Sequence, residues 1–510
     1  TPPTNSNQTS SYWPIATLLI IQSLIFHNSV MAHHQNNQNN TPNGFNQSQV
    51  VVVMVPLPAQ GHLNQLLHFS RLVSAHDIPV HFVGSSTHNR QAKLRVHGWD
   101  QASVSNNVQF HDFQIPPFPS PPPNPNAKNK FPSHLQPSFE ATTHLRQPVA
   151  DLLRQLSPKA RRVIVIHDSM MASVIQDVAS IPNGESYTFH TVSAFALFLY
   201  LCEAIGRPAM LEELHVEIPD GTPSLEGCFT NEFLDFIAAQ YKCQKLNNAG
   251  NIYNTSRTIE GPYMDFLNRI GDHQKHWALG PFNPSTILKS GNSNGGRRHM
   301  CLDWLDKQAP NSVIYVSFGT TTAMKDEQIA ELAIGLEQSN QRFIWVLRDA
   351  DKGDLFSNAE ERRAELPQGY EERVKGRGLV VRDWAPQLEI LAHKSTGGFV
   401  SHCGWNSCIE SITMGVPVAA WPMHSDQPRN TVLITRLLRV GVVMRDWAHR
   451  DEILTSLSVK NGVEKFMGSK EGDEIRKRAA DLGAAVRRSM VEGGASHMEF
   501  SSFMDHITRY

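Results

Sequence analysis

Short runs of β-branched residues alternate with amphipathic helical segments along this chain, and the alternation runs twice. VVVVMV (50–55) reads as a buried strand. LNQLLHFSRLVSAH (63–76) follows it, with Leu63, Leu66, Leu67, Phe69, Leu72 and Val73 at helical spacing. VHFVG (80–84), RVIVIH (162–167), YTFH (187–190) and NIYNT (251–255) continue the series. Gly, Ser, Asn and Pro then dominate 277–299, as in an interdomain connection. Beyond it the alternation restarts with SVIYVSF (312–318), EQIAELAIGLEQS (327–339), RFIWVL (342–347), GLVVRDW (378–384), GGFVSH (397–402), PVAAWP (417–422) and VGVVM (440–444). Strands that alternate with helices pair in parallel and are covered on both faces. The expected fold is therefore α/β, with two Rossmann-like, doubly wound parallel-sheet domains facing across a cleft. Ligands in such sheets sit at the carboxyl ends of the strands, which puts one ligand between the two domains.

The expected boundaries are a disordered N-terminal extension over 1–48, a first doubly wound domain over 49–284, and a linker over 285–300. A second doubly wound domain over 301–490 follows, and 491–510 is expected as a helix packing back on the N-terminal domain. The proline run PPFPSPPPNPN (116–126) excludes helix or sheet interior. It reads either as a rigid surface connection or as a pocket wall.

With 46 basic and 48 acidic residues among 510, net charge −2, no strong field draws the chain to nucleic acid or anionic lipid. Its six cysteines (202, 228, 243, 301, 403 and 408) have no metal-ligand spacing and read as reduced thiols of a cytoplasmic protein. The apolar run at 15–26 is short for a membrane span, and neither a basic lead nor a cleavage site flanks it. No stable membrane insertion is expected, a weak anchor being the alternative. Met31, which opens a polar Asn/Gln-rich lead, is expected as the biological start.

The densest local signal is WAPQLEILAHKSTGGFVSHCGWNSCIESITMGVPVAAWPMHSDQ, residues 384–427. A strand, GGFVS, leads through HCGWNS into a helix. Free backbone N–H groups at such a helix start, with the helix dipole, favour an anion. His402 could donate to a diphosphate oxygen, and Asn406 and Ser407 add donors. Glu410 could accept from two ribose hydroxyls, and Trp384 offers a flat face for a base. Asp426 and Gln427 are groups that hold sugar hydroxyls. Singly, each has a bland structural explanation.

Together they resemble the plant secondary-product glycosyltransferase box. Its Trp, Gln387, HCGWNS, Glu410, GVPV and terminal DQ all stand in place. The resemblance runs from Val50 nearly to the end and implies a two-domain fold of the GT-B type. It implies that Trp384 stacks on uracil, with the Ala385 backbone on the base edge. Gln387 and Glu410 would hold the ribose, and His402, Asn406 and Ser407 the diphosphate. Trp405 (through its backbone), Asp426 and Gln427 would hold the sugar. The SFGT turn, with Ser317 and Thr320, resembles the family's second phosphate loop. UDP-glucose is then a co-substrate. No cofactor and no metal site is expected, and a monomer is.

PLPAQGHLNQLL (56–67) places His62 at a helix start facing the cleft. Histidine suits proton removal from an alcohol at neutral pH, although a histidine there is more often structural. The resemblance makes it the general base. Gln65 departs from the commoner GHxxP pattern, and the helix is expected to survive that change. Asp168, after RVIVIH, is the candidate partner that orients the imidazole, with a helix N-cap as the alternative. The implied chemistry is a single inverting displacement that gives a β-glucoside.

Several stretches, among them GHLNQLLHFSRL (61–72), FPSHLQPSFEA (131–141), VIHDSMMASVIQD (165–177) and HSDQPRN (424–430), are similar to the zeatin O-glucosyltransferase branch. That implies a cytokinin side-chain hydroxyl as acceptor, the segment 115–131 being a candidate wall of its pocket. A flavonoid or terpenoid alcohol as acceptor and UDP-xylose as donor stay open. So does a non-catalytic binding protein on the same fold.

Overall fold

The computed structural model describes residues 49–95, 107–205, 210–214, 216–244, 248–271, 274–283, 298–357 and 362–510. The extension over 1–48, with Met31 and the apolar run, lies outside the described residues, as does most of the linker at 285–300.

The first sheet contains β1 (Val50–Val55), β2 (Val80–Ser85), β3 (Val108–Phe113), β4 (Arg162–Asp168), β5 (Gly184–His190), β6 (Asn248–Tyr253) and β7 (Lys275–Ala278). Their spatial order is β3-β2-β1-β4-β5-β6-β7, and every pairing is parallel. The second sheet contains β8 (Val313–Ser317), β9 (Arg342–Val346), β10 (Gly378–Val381), β11 (Thr396–Ser401), β12 (Val418–Ala420) and β13 (Gly441–Val443). It is also wholly parallel, in the order β10-β9-β8-β11-β12-β13. The unbroken apolar runs have the expected cause: all six residues of β1 are buried, because helices cover both faces.

In each sheet the strand order reverses beside the first strand. Between β1 and β4, and again between β8 and β11, successive connections leave toward opposite faces. A crevice opens at such a point, outside the carboxyl ends of the strands. The loops there carry His62 (after β1), Asp168 (the last residue of β4), Ser317–Thr320 (after β8) and His402–Ser407 (after β11).

Helix α1 (Gln60–Ser74) follows β1, and α2 (Ala194–Ile205) follows β5. Helix α3 (Asn231–Gln244) precedes β6, and α4 (Trp405–Met414) follows β11. The short α5 (Gln427–Val432) follows β12, and α6 (Ala495–Thr508) ends the chain. α6 lies against β7, and its Phe503, Met504 and Ile507 join the core built on Val52, Phe69 and Trp277. The ring of Phe503 meets the edge of Trp277 at 5.2 Å between centroids. The C-terminus thus completes the first domain's core.

Two strands depart from the sequence expectation. β3 has one buried residue in six, so its pattern carried no strand signal. β7 holds Trp277 fully buried, so 277–278 belong to the sheet although a composition shift begins there. Between β4 and β5 the chain forms two short 3-10 turns, Ser169–Met171 and Gln176–Ser180. The proline run is largely exposed, and of that loop Phe131, with the following Pro132, lines the cleft.

Candidate active site

Pro56 and Pro58 cannot extend the β1 ladder, so the chain turns and α1 begins at once. His62 N–H donates to Ala59 O at 2.9 Å, which places the imidazole in the first turn of α1. Gln65 leaves that helix unbroken through Ser74. β1 and β4 are neighbours, with Val55 opposite His167, so the residue after His167 comes level with the turn. His62 Nδ1 lies 2.6 Å from Asp168 Oδ2. Asp168 has no exposed side-chain surface, while His62 retains 27%. The other carboxylate oxygen, Oδ1, accepts the Met170 N–H at 2.9 Å and caps the 3-10 turn. The two readings of Asp168, imidazole partner and N-cap, hold at once on different oxygens. With Nδ1 committed, Nε2 is the ring nitrogen left for a ligand in the cleft.

Across the cleft, α4 starts at Gly404, which offers no side-chain cap, and its first turn holds no acidic residue. Its leading N–H groups therefore remain available to an anion. His402 sits between two glycines. A Cβ at Gly319 would fall 2.6 Å from its Nε2 and one at Gly404 2.5 Å. Gly319 also has φ +75°, a conformation that glycine adopts without cost. Burial holds the His402 imidazole down to about 4, so it is neutral at pH 7, and its Nδ1 has no partner among the described residues.

Gln387 Nε2 donates to Glu410 Oε2 at 2.8 Å and to Ser407 Oγ at 3.0 Å. Ser407 thereby keeps its O–H for another acceptor. Asn430 Nδ2 donates to Asp426 Oδ2 at 2.8 Å, and Gln427 Oε1 accepts the N–H groups of Met423 and His424. These bonds fix the orientation of the Asp426 and Gln427 side chains. The Trp384 ring has the Arg95 guanidinium 4.7 Å from its centroid and that of Arg348 at 5.8 Å. A stacked base has to share or displace them. Asp351 holds both arginines and lies 2.6 Å from Arg95.

His62, Ser317, Thr320, Trp384, Ala385, Gln387, His402, Trp405, Asn406, Ser407, Glu410, Asp426 and Gln427 all line one cleft of about 400 Å³. Asp168 stands behind His62. Bonds between the domains close the cleft floor. Asn406 Nδ2 donates to Gly61 O at 2.7 Å, beside the His62 turn. Trp405 Nε1 donates to Asn254 O at 2.9 Å, and Ser193 Oγ to Asn430 Oδ1 at 2.7 Å. The indole of Trp405 is thus committed to the first domain.

Sequence reasoning placed the segment 115–131 on the acceptor pocket, and its Phe131 lines the cleft, but it missed the rest of the apolar half. Phe131, Phe139, Phe229, Phe233 and Ile237 form that half, with Phe131 and Phe233 4.5 Å apart. It also missed Arg429, 1% exposed, which reaches from α5 to Glu203 of α2 at 2.5 Å and lies 4.4 Å over the Tyr200 ring. HSDQPRN contained Arg429 and Asn430, but nothing in the sequence said that they cross to the other domain. Among the described residues no group of three His, Cys, Asp or Glu is placed to hold a metal ion, and no helix is long and apolar enough to cross a membrane.

Comparison with known proteins matches residues 48–284 to the family model "Glycosyltransferase, N-terminal domain" and residues 296–472 to "UDP-glucoronosyl and UDP-glucosyl transferase". A zeatin O-glucosyltransferase from Phaseolus lunatus is 58% identical, over 91% of this chain and 98% of that protein. A zeatin O-xylosyltransferase from Phaseolus vulgaris is 56% identical, over 91% and 99%. Among solved structures, a transferase from Siraitia grosvenorii in complex with UDP superposes with a TM-score of 0.69 at 26% identity, over 90% of this chain and 100% of that one.

Burial pushes the Glu410 carboxyl from 4.5 up to about 7, against the opposing hydrogen bond from Gln387. Between those values the folded protein holds a proton that the unfolded chain has released. This contribution to stability is therefore full below 4.5 and lost as pH rises through about 7. Urea unfolding of ligand-free protein at about pH 5 and about pH 8 checks it. The wild-type midpoint should fall more over that interval than that of Glu410→Gln. Parallel falls would contradict it.

Proposed function

The chain belongs to the UDP-glucoronosyl and UDP-glucosyl transferase family and is a UDP-sugar-dependent glycosyltransferase, and from that premise we propose that it transfers glucose to the side-chain hydroxyl of the cytokinin zeatin. The observation that carries this reading is the position of the His62–Asp168 pair. It stands where the aromatic half of the cleft meets the anion-accepting start of α4. A flat apolar purine suits the aromatic half, and its tail hydroxyl would then meet His62 Nε2.

In this mechanism UDP-glucose lies with uracil on Trp384 and its edge on the Ala385 backbone. Its ribose is held by Glu410 and Gln387. Its diphosphate takes the α4 amides with His402, Asn406, Ser407, Ser317 and Thr320. The Asp426 and Gln427 side chains and the Trp405 backbone hold the sugar. His62 Nε2 takes the hydroxyl proton, and Asp168 stabilises the imidazolium that forms. The freed oxygen attacks the anomeric carbon while the bond to UDP breaks on the opposite face. Negative charge on the departing diphosphate meets preorganised N–H groups, which act most strongly in a water-poor cleft. The reading uses no metal and no resident cofactor. UDP-xylose is the competing donor, favoured by the likeness to a zeatin O-xylosyltransferase. The reading also takes the enzyme as a cytoplasmic monomer. Both halves of the cleft lie in one chain, and all six cysteines are free.

Incubation with UDP-glucose and either zeatin or isopentenyladenine, followed by mass spectrometry with fragmentation, tests the acceptor. An O-glucoside should form from zeatin and none from isopentenyladenine. A dominant ring-glucosylated product, or far faster turnover of a flavonol, would overturn the zeatin assignment. His62→Ala should lower kcat by about 10²–10⁴-fold with UDP affinity close to wild type, and Asp168→Asn should cost less. Near-normal turnover by His62→Ala would remove its role as base.

A further inference from the structure

The acceptor half of the cleft contains a buried amide oxygen, that of Gln65, with no partner among the described residues. Gln65 lies one helical turn after His62 on α1, 4% exposed, and lines the cleft. Its Nε2 donates to Thr191 O at 3.4 Å. That carbonyl fixes which end of the amide is which, since an amide oxygen there would face another oxygen. Its Oε1 is buried and accepts no hydrogen bond among the described residues. A buried carbonyl oxygen left in that state is costly unless a ligand supplies the donor.

We propose that Gln65 Oε1 is a specificity-determining contact that accepts a hydrogen bond from an N–H of the acceptor, namely the exocyclic amine of the purine. The inference rests on the reading of zeatin as acceptor and deepens it. Residues three apart on a helix face stand about 5–6 Å apart at their Cβ atoms. That spacing suits a molecule whose hydroxyl and amine N–H lie at the two ends of a short alkenyl tail. The hydroxyl meets His62 Nε2 while the amine meets Gln65 Oε1. The chain departs from the GHxxP pattern at this position, and proline would offer no side-chain acceptor there. An alcohol of similar size but without that N–H leaves the Gln65 oxygen unpaired and is discriminated against.

Gln65→Met keeps the length of the side chain and the helix propensity while removing the acceptor oxygen. Steady-state kinetics compare zeatin with a 6-alkoxypurine that bears the same hydroxylated tail, with an ether oxygen in place of the N–H. Wild type should favour zeatin by about 10-fold or more in kcat/KM. In Gln65→Met, kcat/KM for zeatin should fall about 10-fold and that for the ether stay nearly constant, so the discrimination collapses. The KM for UDP-glucose should not move. An equal loss on both acceptors would show a structural role and overturn the assignment, as would no loss on either. Failure of the wild type to glucosylate zeatin overturns the acceptor reading and this proposal with it. Normal zeatin turnover with unchanged discrimination overturns the Gln65 contact alone.

Discussion

A carboxylate with no exposed surface has to be hydrogen-bonded, and Asp168 divides its two oxygens between two tasks. Oδ1 holds the Met170 N–H and so fixes the turn that ends β4, and Oδ2 holds His62 Nδ1. The bond to the backbone immobilises the carboxylate, and the carboxylate immobilises the imidazole. The contact with the imidazole depends on β1 and β4 being neighbours at the point where the sheet order reverses. The wholly parallel topology is therefore what brings residues 106 apart into contact. The second sheet repeats the arrangement, with the SFGT turn after β8 and His402–Ser407 after β11. Two crevices of one kind face each other, one furnished with the His62–Asp168 pair and the other with the leading amides of α4.

The domains are tied where chemistry needs a fixed separation. Asn406 and Trp405, at the start of the anion-accepting helix, bond the backbone of the first domain at Gly61 and Asn254. The Asn406 bond ends one residue from His62, so it ties the His62 turn directly to the start of α4. Below it, Asn430 joins Ser193 to Asp426, and Arg429 reaches Glu203. Residues just after the box thus orient the Asp426 side chain and hold the cleft together, and a substitution there acts on both.

The second domain's site was legible because its residues come from few adjacent loops. Trp384 to Gln427 is one continuous stretch, and each member of it assigned to the donor lines the cleft. The doubly wound class was legible from the apolar runs, and β3 and β7 were not. β3 is too exposed to show a pattern, and β7 lies where the linker composition begins. The His62–Asp168 pairing was available from resemblance alone, because no local spacing links the two. Of the acceptor wall only the segment 115–131 was legible, through Phe131. Phe229, Phe233 and Ile237 stand at helical spacing, and that pattern is the same whether the rings face a core or a cavity. The unpaired oxygen of Gln65 likewise needed coordinates, since the sequence marked the position as a departure without saying what the amide meets.

In the proposed mechanism the enzyme is a scaffold for one direct displacement, in which His62 removes a proton and the chain forms no covalent bond to the sugar. Proton NMR of the freshly formed product, made from α-linked UDP-glucose, tests that most directly through the coupling of its anomeric proton. The account predicts the large trans-diaxial coupling of a β-glucoside from the earliest time points. The small coupling of an α-glucoside would mean retention, and would contradict a single inverting displacement with His62 as its base.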